Sequence, residues 1–373
     1  MRRLAVIVWF LLVTGCGEED RTPAMQVQVD QVMGGEPGSG FARAMAPRTF
    51  RFPEDHGPHT EYATEWWYLT GNLETERGRR FGYQFTLFRI GLQPEMPASD
   101  SGWRTGQLYM GHIAITDIAG GMHVSSERLA RAALGLAGAN ANPLAVWLES
   151  WSLKGEGEPF PIHVQAEGDD FGLSLELESG NKPVILQGNG GLSRKSASPG
   201  NASYYYSLTR LPTRGTLRLG GASYRVSGDS WLDREWSSSA LDSDQSGWDW
   251  FALQLADNRE LMFYRLRDRD GRMHPFSRGS LVGADGGFRV LEPAELRLEP
   301  VRYWRAADGT RYPVEWRLHV PAEGLDLRVR AVLDDQLMEH TVRYWEGAVD
   351  VTGSHAGRGY LEMSGYSGSA ARE

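Results

Sequence analysis

Apolar and polar residues alternate along much of this chain. Phe81, Tyr83, Phe85 and Leu87 share one phase, and Gly82, Gln84 and Thr86 the other. Leu173, Leu175 and Leu177 alternate with Ser174, Glu176 and Glu178; Leu325, Leu327 and Val329 alternate with Asp326, Arg328 and Arg330. A period of two sends successive side chains to opposite faces of an extended strand. One apolar and one polar face is the pattern of antiparallel strands buried on a single side. Asp270-Gly271, Asp285-Gly286-Gly287 and Asp308-Gly309 supply turn chemistry between such runs. Helical periodicity is scarce; residues 127–136 give the best candidate, a short helix.

The two halves carry the same landmarks in the same order. Glu65-Trp66-Trp67-Tyr68 and a run closed by Arg89 are answered by Trp248-Asp249-Trp250-Phe251 and a run closed by Arg267. Gly111-His112-Ile113 is answered by Gly279-Ser280-Leu281, Trp151-Ser152-Leu153 by Trp316-Arg317-Leu318, and Gly172-Leu173 by Gly324-Leu325. Tyr206 with Gly215-Thr216-Leu217 is answered by Trp345 with Gly359-Tyr360-Leu361. Ordered self-similarity of this kind indicates a duplicated all-β unit. A meander of about eight strands tends to close on itself, which removes its edges, and a small closed barrel holds one apolar ligand. The expected organisation is two tandem antiparallel β-barrel domains, at 49–228 and 247–373, joined by an inter-domain segment at 229–246.

The 373 residues suffice for two cores, and the 45 glycines and 13 tryptophans suit short strands, turns and ring-filled interiors. A net charge of −9, with no basic block beyond the N-terminus, argues against nucleic acid as a partner. Arg2 and Arg3 precede an apolar run at 4–13, too short to span a bilayer as a mature helix, and Val13-Thr14-Gly15-Cys16 follows. This reads as a lipoprotein signal peptide at 1–15 with Cys16 as the lipidated residue, anchored through a flexible tether at 16–48. Gly17 in place of aspartate favours the periplasmic face of a bacterial outer membrane. Cys16 is the sole cysteine, so thiol catalysis is excluded in a lipidated chain.

The unusual stretch is Trp231-Leu232-Asp233-Arg234-Glu235-Trp236. On an extended backbone Asp233, Glu235 and Trp231 share one face and Arg234 takes the other. Two carboxylates beside large rings favour a raised pKa, because burial and like charge both disfavour ionisation. A carboxylic acid kept protonated near neutrality can donate its proton. The competing reading is a buried carboxylate tying a domain junction. His112, whose repeat counterpart is Ser280, is a candidate proton carrier. Glu65 is expected to pair with Arg89. His56 and His59 lack a third ligand, so no metal is expected. No G-x-S-x-G elbow supports serine hydrolysis.

Taken together, Asp55-His56-Gly57-Pro58-His59, Glu65-Trp66-Trp67-Tyr68, Gly111-His112, Tyr204-Tyr205-Tyr206-Ser207, the 231–236 stretch, Gly247-Trp248-Asp249-Trp250 and Tyr344-Trp345-Glu346-Gly347 resemble the carotenoid 1,2-hydratase and AttH-like superfamily, closest to its secreted branch. The resemblance covers nearly everything after Phe50 and implies two lipocalin-like β-barrel domains. It implies that Asp233 matches an acid that protonates an isolated C=C bond, after which water traps the cation. Glu235 and His112 are the assisting candidates; Trp66, Trp67, Tyr205, Trp236, Trp248 and Trp345 are the candidate ligand-binding rings. The AttH-like branch also implies an association with an ABC transport system. Two functions follow: an anchored protein that binds a hydrophobic, lipid or polyene-like molecule, or a cofactor-free hydratase or cyclase acting on an isoprenoid. Binding is the requirement both share.

Overall fold

The computed structural model describes residues 40–95, 101–239 and 241–366. The expected signal peptide, Cys16 and the tether as far as residue 39 lie outside the described residues. The rest of the expected tether is packed: Ala44 is buried, and the Tyr204 hydroxyl donates to the Ala46 carbonyl at 2.8 Å.

Among the described residues strands account for almost all regular structure, with three single 3-10 turns beside them. The first sheet comprises β1 (Thr64–Glu74), β2 (Arg80–Gly91), β3 (Gln107–Asp117), β4 (Met122–Arg131), β5 (Ala137–Asn140), β6 (Ala145–Leu148), β7 (Trp151–Gly155), β8 (Ile162–Glu167), β9 (Phe171–Leu177), β10 (Ile185–Leu186), β11 (Leu192–Arg194), β12 (Ala202–Leu219) and β13 (Ala222–Ser237). The second comprises β14 (Gln245–Leu255), β15 (Glu260–Asp268), β16 (Arg278–Val282), β17 (Phe288–Leu291), β18 (Arg297–Arg305), β19 (Arg311–Val320), β20 (Leu325–Ala331), β21 (Leu337–Glu339), β22 (Arg343–Gly353) and β23 (Gly357–Met363). The sheets run β4-β3-β2-β1-β13-β12-β9-β8-β7-β6-β5 and β17-β16-β15-β14-β23-β22-β20-β19-β18, all antiparallel. Each curls around its own core, giving two tandem lipocalin-like β-barrel domains.

Three sequence expectations change. Residues 127–136 hold no helix: β4 runs through to Arg131, because Val124, Ser126 and Arg128 pair across β3. Residues 229–237 are no linker. They finish β13, hydrogen-bonded to β1 on one side and β12 on the other, so the first domain ends at Ser237 and the second sheet starts at Gln245. Two landmark pairs also fail to superpose. Trp316 lies on β19, next to β20, whereas Trp151 lies on β7, two strands from β9; Gly359 lies on β23, the equivalent of β13 rather than of β12.

The barrel interiors are filled by their own side chains. Trp67, Trp151, Trp236 and Tyr83 pack in the first core; Phe251, Trp316 and Trp345 pack in the second. Each interior also buries an acid and the arginine that closes its second strand: Glu65 with Arg89, and Asp249 with Arg267 at 2.6 Å. Arg234 adds a second cation to Glu65 at 2.9 Å and lies over the Trp67 ring at 3.9 Å. These paired charges satisfy groups whose isolated burial would be costly.

The polar phase of β2 is not solvated. Gln84 and Thr86 are buried, because the outer faces of the two sheets pack against each other. Gly82 marks a close approach: a Cβ there would lie 2.7 Å from both Ala348 Cβ and the Tyr360 hydroxyl. Asn72 donates across this interface to the Gly359 carbonyl at 3.1 Å. The antiparallel period of two sorts each strand between a barrel core and this inter-domain seam.

Candidate functional site

Where the two outer faces part, they leave a cavity of about 130 Å³. Sheet register decides which residues reach it. On β1, Trp66 stands opposite Glu235 and Tyr68 opposite Asp233; on β12, Tyr205 stands opposite Glu235 and Ser207 opposite Asp233. The second domain repeats the arrangement, with Trp250 opposite Glu362 and Glu346 opposite Glu362. By this register Glu235 corresponds to Glu362, Trp66 to Trp250, Tyr205 to Glu346 and Asp233 to Tyr360. The duplicated sheets therefore present four carboxyl groups and several rings to one space.

Asp233 accepts three hydrogen bonds: from the Tyr205 hydroxyl at 2.5 Å, the Ser207 hydroxyl at 2.5 Å and the Trp231 indole at 2.7 Å. These favour the carboxylate, yet burial outweighs them and pushes the carboxyl up to about 7. Tyr205 also accepts from the Trp250 indole at 3.2 Å, which ties the acid to the second domain. Glu235 receives the Ser203 hydroxyl and pairs with Lys195 at 3.1 Å. Burial lifts Glu346 well above the usual carboxylate range and Glu362 to about 7. Tyr68 donates to Glu346, and the Trp248 indole donates to Glu362 at 2.9 Å.

His112 lines the same cavity, with both ring nitrogens engaged: Nδ1 with the Tyr344 hydroxyl at 2.7 Å, Nε2 with Glu127 at 3.0 Å. Although burial alone would raise it, hydrogen bonds from His112 and Thr341 hold the Glu127 carboxyl down to about 2. His112 thus links the cavity wall to a partly exposed carboxylate.

Of the residues singled out from sequence, Asp233, Glu235, His112, Trp66, Tyr205 and Trp248 meet at the cleft. Trp67, Trp236 and Trp345 do not. The strand alternation turns them into the barrel cores, where Trp236 stacks on His59 with ring centroids 3.7 Å apart and Trp345 donates to the Asp334 carbonyl at 2.9 Å. His56 and His59 serve the first core, bonded to Tyr206 and Asp55. Sequence reasoning missed Glu346, Glu362, Trp250 and Lys195. The signal for Glu362 lay in the repeat itself: aligning β23 with β13 sets Glu362 on Glu235.

A pair of lipocalin-like barrels with a shared acidic, ring-lined cleft defines a class of two-domain β proteins. The chain belongs to the AttH-like family, whose model matches residues 43–366. A Nitrosomonas europaea protein assigned to AttH has a crystal structure that is 35% identical in sequence, with a TM-score of 0.79 over 87% of this chain and 100% of its own. Kievitone hydratase from Nectria haematococca shares the fold at 16% identity, with a TM-score of 0.65 over 90% of this chain and 98% of its own. CghA, solved with Sch210972, shares it at 12% identity, with a TM-score of 0.51 over 89% and 97%. No curated protein gives a significant sequence match.

Proposed function

We propose that the inter-domain cleft binds an apolar, unsaturated molecule and that Asp233 donates a proton to it, as in a cofactor-free hydratase or cyclase. One observation carries this reading: a buried carboxyl, held near 7 by its burial, forms part of the wall of a ring-lined cavity. A general acid works best when its pKa lies near the operating pH. The carboxyl O–H bond breaks as a C–H bond forms at one alkene carbon, leaving the other cationic. Trp66, Trp248 and Trp250 line the cleft, and their ring faces suit a cation. Water then bonds to that carbon and returns a proton to the Asp233 carboxylate; capture by a second double bond instead closes a ring and moves the cation, which is discharged when an adjacent C–H bond gives its proton to the Asp233 carboxylate. One neighbour of the same fold is named a hydratase, which supports chemistry of this type.

One observation favours binding without turnover: Tyr205, Ser207 and Trp231 already occupy both oxygens of Asp233. The apolar run at 4–13 and Cys16 favour a lipid anchor, Gly17 favours the outer membrane, and the AttH-like family favours passage of a bound molecule to an ABC transporter.

Asp233→Asn separates the readings. Incubated with an isoprenoid alkene in ¹⁸O-water, the wild-type protein is expected to yield a labelled alcohol, and the variant to slow about a hundredfold or more with ligand affinity nearly intact. Equal rates with both proteins, or neither a labelled alcohol nor a cyclised isomer from the wild type across a panel of polyenes, rejects the acid role and leaves binding.

A further inference from the structure

The acid mechanism uses Asp233, which with Glu235 stands on the first domain's wall, and the opposite wall carries two more carboxyl groups. Glu346 and Glu362 are direct cross-strand partners on β22 and β23, and both face the cleft. Side chains so placed have Cβ atoms about 5 Å apart, where like charges repel. Each rests one oxygen on a neutral donor, Tyr68 for Glu346 and Trp248 for Glu362. Among the described residues neither is paired with a cationic side chain. Glu346 is 1% exposed; its Oε2 makes no close hydrogen bond, and the Tyr344 hydroxyl is the other neutral group that favours its ionised form. The lysine of the cleft wall, Lys195, is committed to Glu235 at 3.1 Å. Four carboxyl groups therefore share one ammonium.

Protons or an outside cation must balance that excess. The surroundings suit an organic cation: Trp66, Tyr68, Trp248, Trp250 and Tyr344 offer ring faces, and ammonium ligands are held well by such faces. A bare metal ion fits less well. Among the described residues no three carboxylates or imidazoles converge on one point.

We infer that Glu346 and Glu362 form a receptor for an organic cation, an ammonium group carried on an apolar body. This rests on the cleft being the ligand site and adds the charge class of its ligand. Without a bound cation, protons reduce the charge of the pair: burial raises both carboxyls, Glu362 to about 7, and the charge of Glu362 adds to the rise at Glu346. Asp233 and Glu235 on β13 add to that rise at Glu362, while the Tyr68, Tyr344 and Tyr360 hydroxyls beside Glu346 are raised well above 10 by burial and stay protonated. Lys195, Tyr205, Tyr264, His112 and the hydroxyls of Ser203, Ser237 and Ser239 complete the polar groups around the cleft. A cation displaces the protons, so its affinity rises with pH.

The test titrates the full chain with benzyltrimethylammonium and with neopentylbenzene, its uncharged carbon isostere, following tryptophan fluorescence at pH 6 and pH 8. The ammonium does not titrate, so any pH dependence belongs to the protein. At pH 8 it is expected to bind at least about tenfold tighter than the isostere. That advantage shrinks at pH 6, and calorimetry in two buffers detects proton release on binding. The double variant Glu346→Gln, Glu362→Gln brings the two compounds to parity. Equal affinities in the wild-type protein overturn the cation receptor and leave the apolar cleft standing; a double variant that keeps the preference overturns the role of this pair. Failure of both compounds to bind overturns the cleft reading as well.

Discussion

At the scale of the residue, Asp233 is the most informative group. Its carboxyl is pushed from 3.8 to about 7 by burial, so between those values the folded state holds a proton that the unfolded chain releases. Stability contributed by that proton is fully present below pH 4 and is lost as pH rises toward 7, then levels off. Asp233→Asn removes the slope. The stability of the variant relative to the wild type is therefore expected to rise by up to a few kcal/mol between pH 4 and pH 7, in paired urea melts. A flat difference across that range would show that the carboxyl ionises freely in the fold. Glu65 titrates in the opposite sense: burial would raise it, but His59, Arg89 and Arg234 hold it well below the usual carboxylate range, so its contribution is lost only as acid protonates it.

At the scale of the element, β1 and β13 each serve two sites at once. Trp66 and Trp67 are neighbours in sequence, yet the pleat sends Trp66 to the cleft and Trp67 to the first core. Trp67→Ala is expected to cost about 3–5 kcal/mol in chemical denaturation, because it leaves a cavity and strips the Arg234 guanidinium of the ring beneath it. Trp66→Ala should leave the denaturation midpoint nearly unchanged and weaken ligand binding instead. The reverse pattern would place the pleat in the wrong phase. On β13 the same alternation sets Asp233 and Glu235 on the cleft and Arg234 in the ion cluster of the barrel. The strand phase was legible in the sequence, since Asp233, Glu235 and Trp231 share a period-two face. Its pairing was not: a stretch read as a linker is a central strand, because its polar residues find partners on β1 and β12 that are distant along the chain.

At the scale of the molecule, the cleft exists because two curled sheets meet on faces that would otherwise be solvated. Gly82 permits that approach, with Ala348 and Tyr360 filling the space a side chain would take. Gly82→Leu is expected to force the domains apart and abolish ligand binding while each barrel keeps its strand signal in circular dichroism. Small-angle scattering would register the change, and an unaltered scattering profile with intact binding would refute the role of this glycine. The ion pairs Arg80–Asp350 and Arg358–Glu74 lie along the same seam but are partly exposed, so they are expected to add little.

The sequence alone determined the strand-rich class, the duplication, the family and the face shared by Asp233 and Glu235, because each is written in local periodicity or in motif order. Which rings point to the cleft and which fill a barrel needed the register between strands. That Glu346 and Glu362 confront Asp233 and Glu235 needed more: the packing of one domain on the other. Residues more than a hundred positions apart become neighbours only through that packing, and no local pattern encodes it.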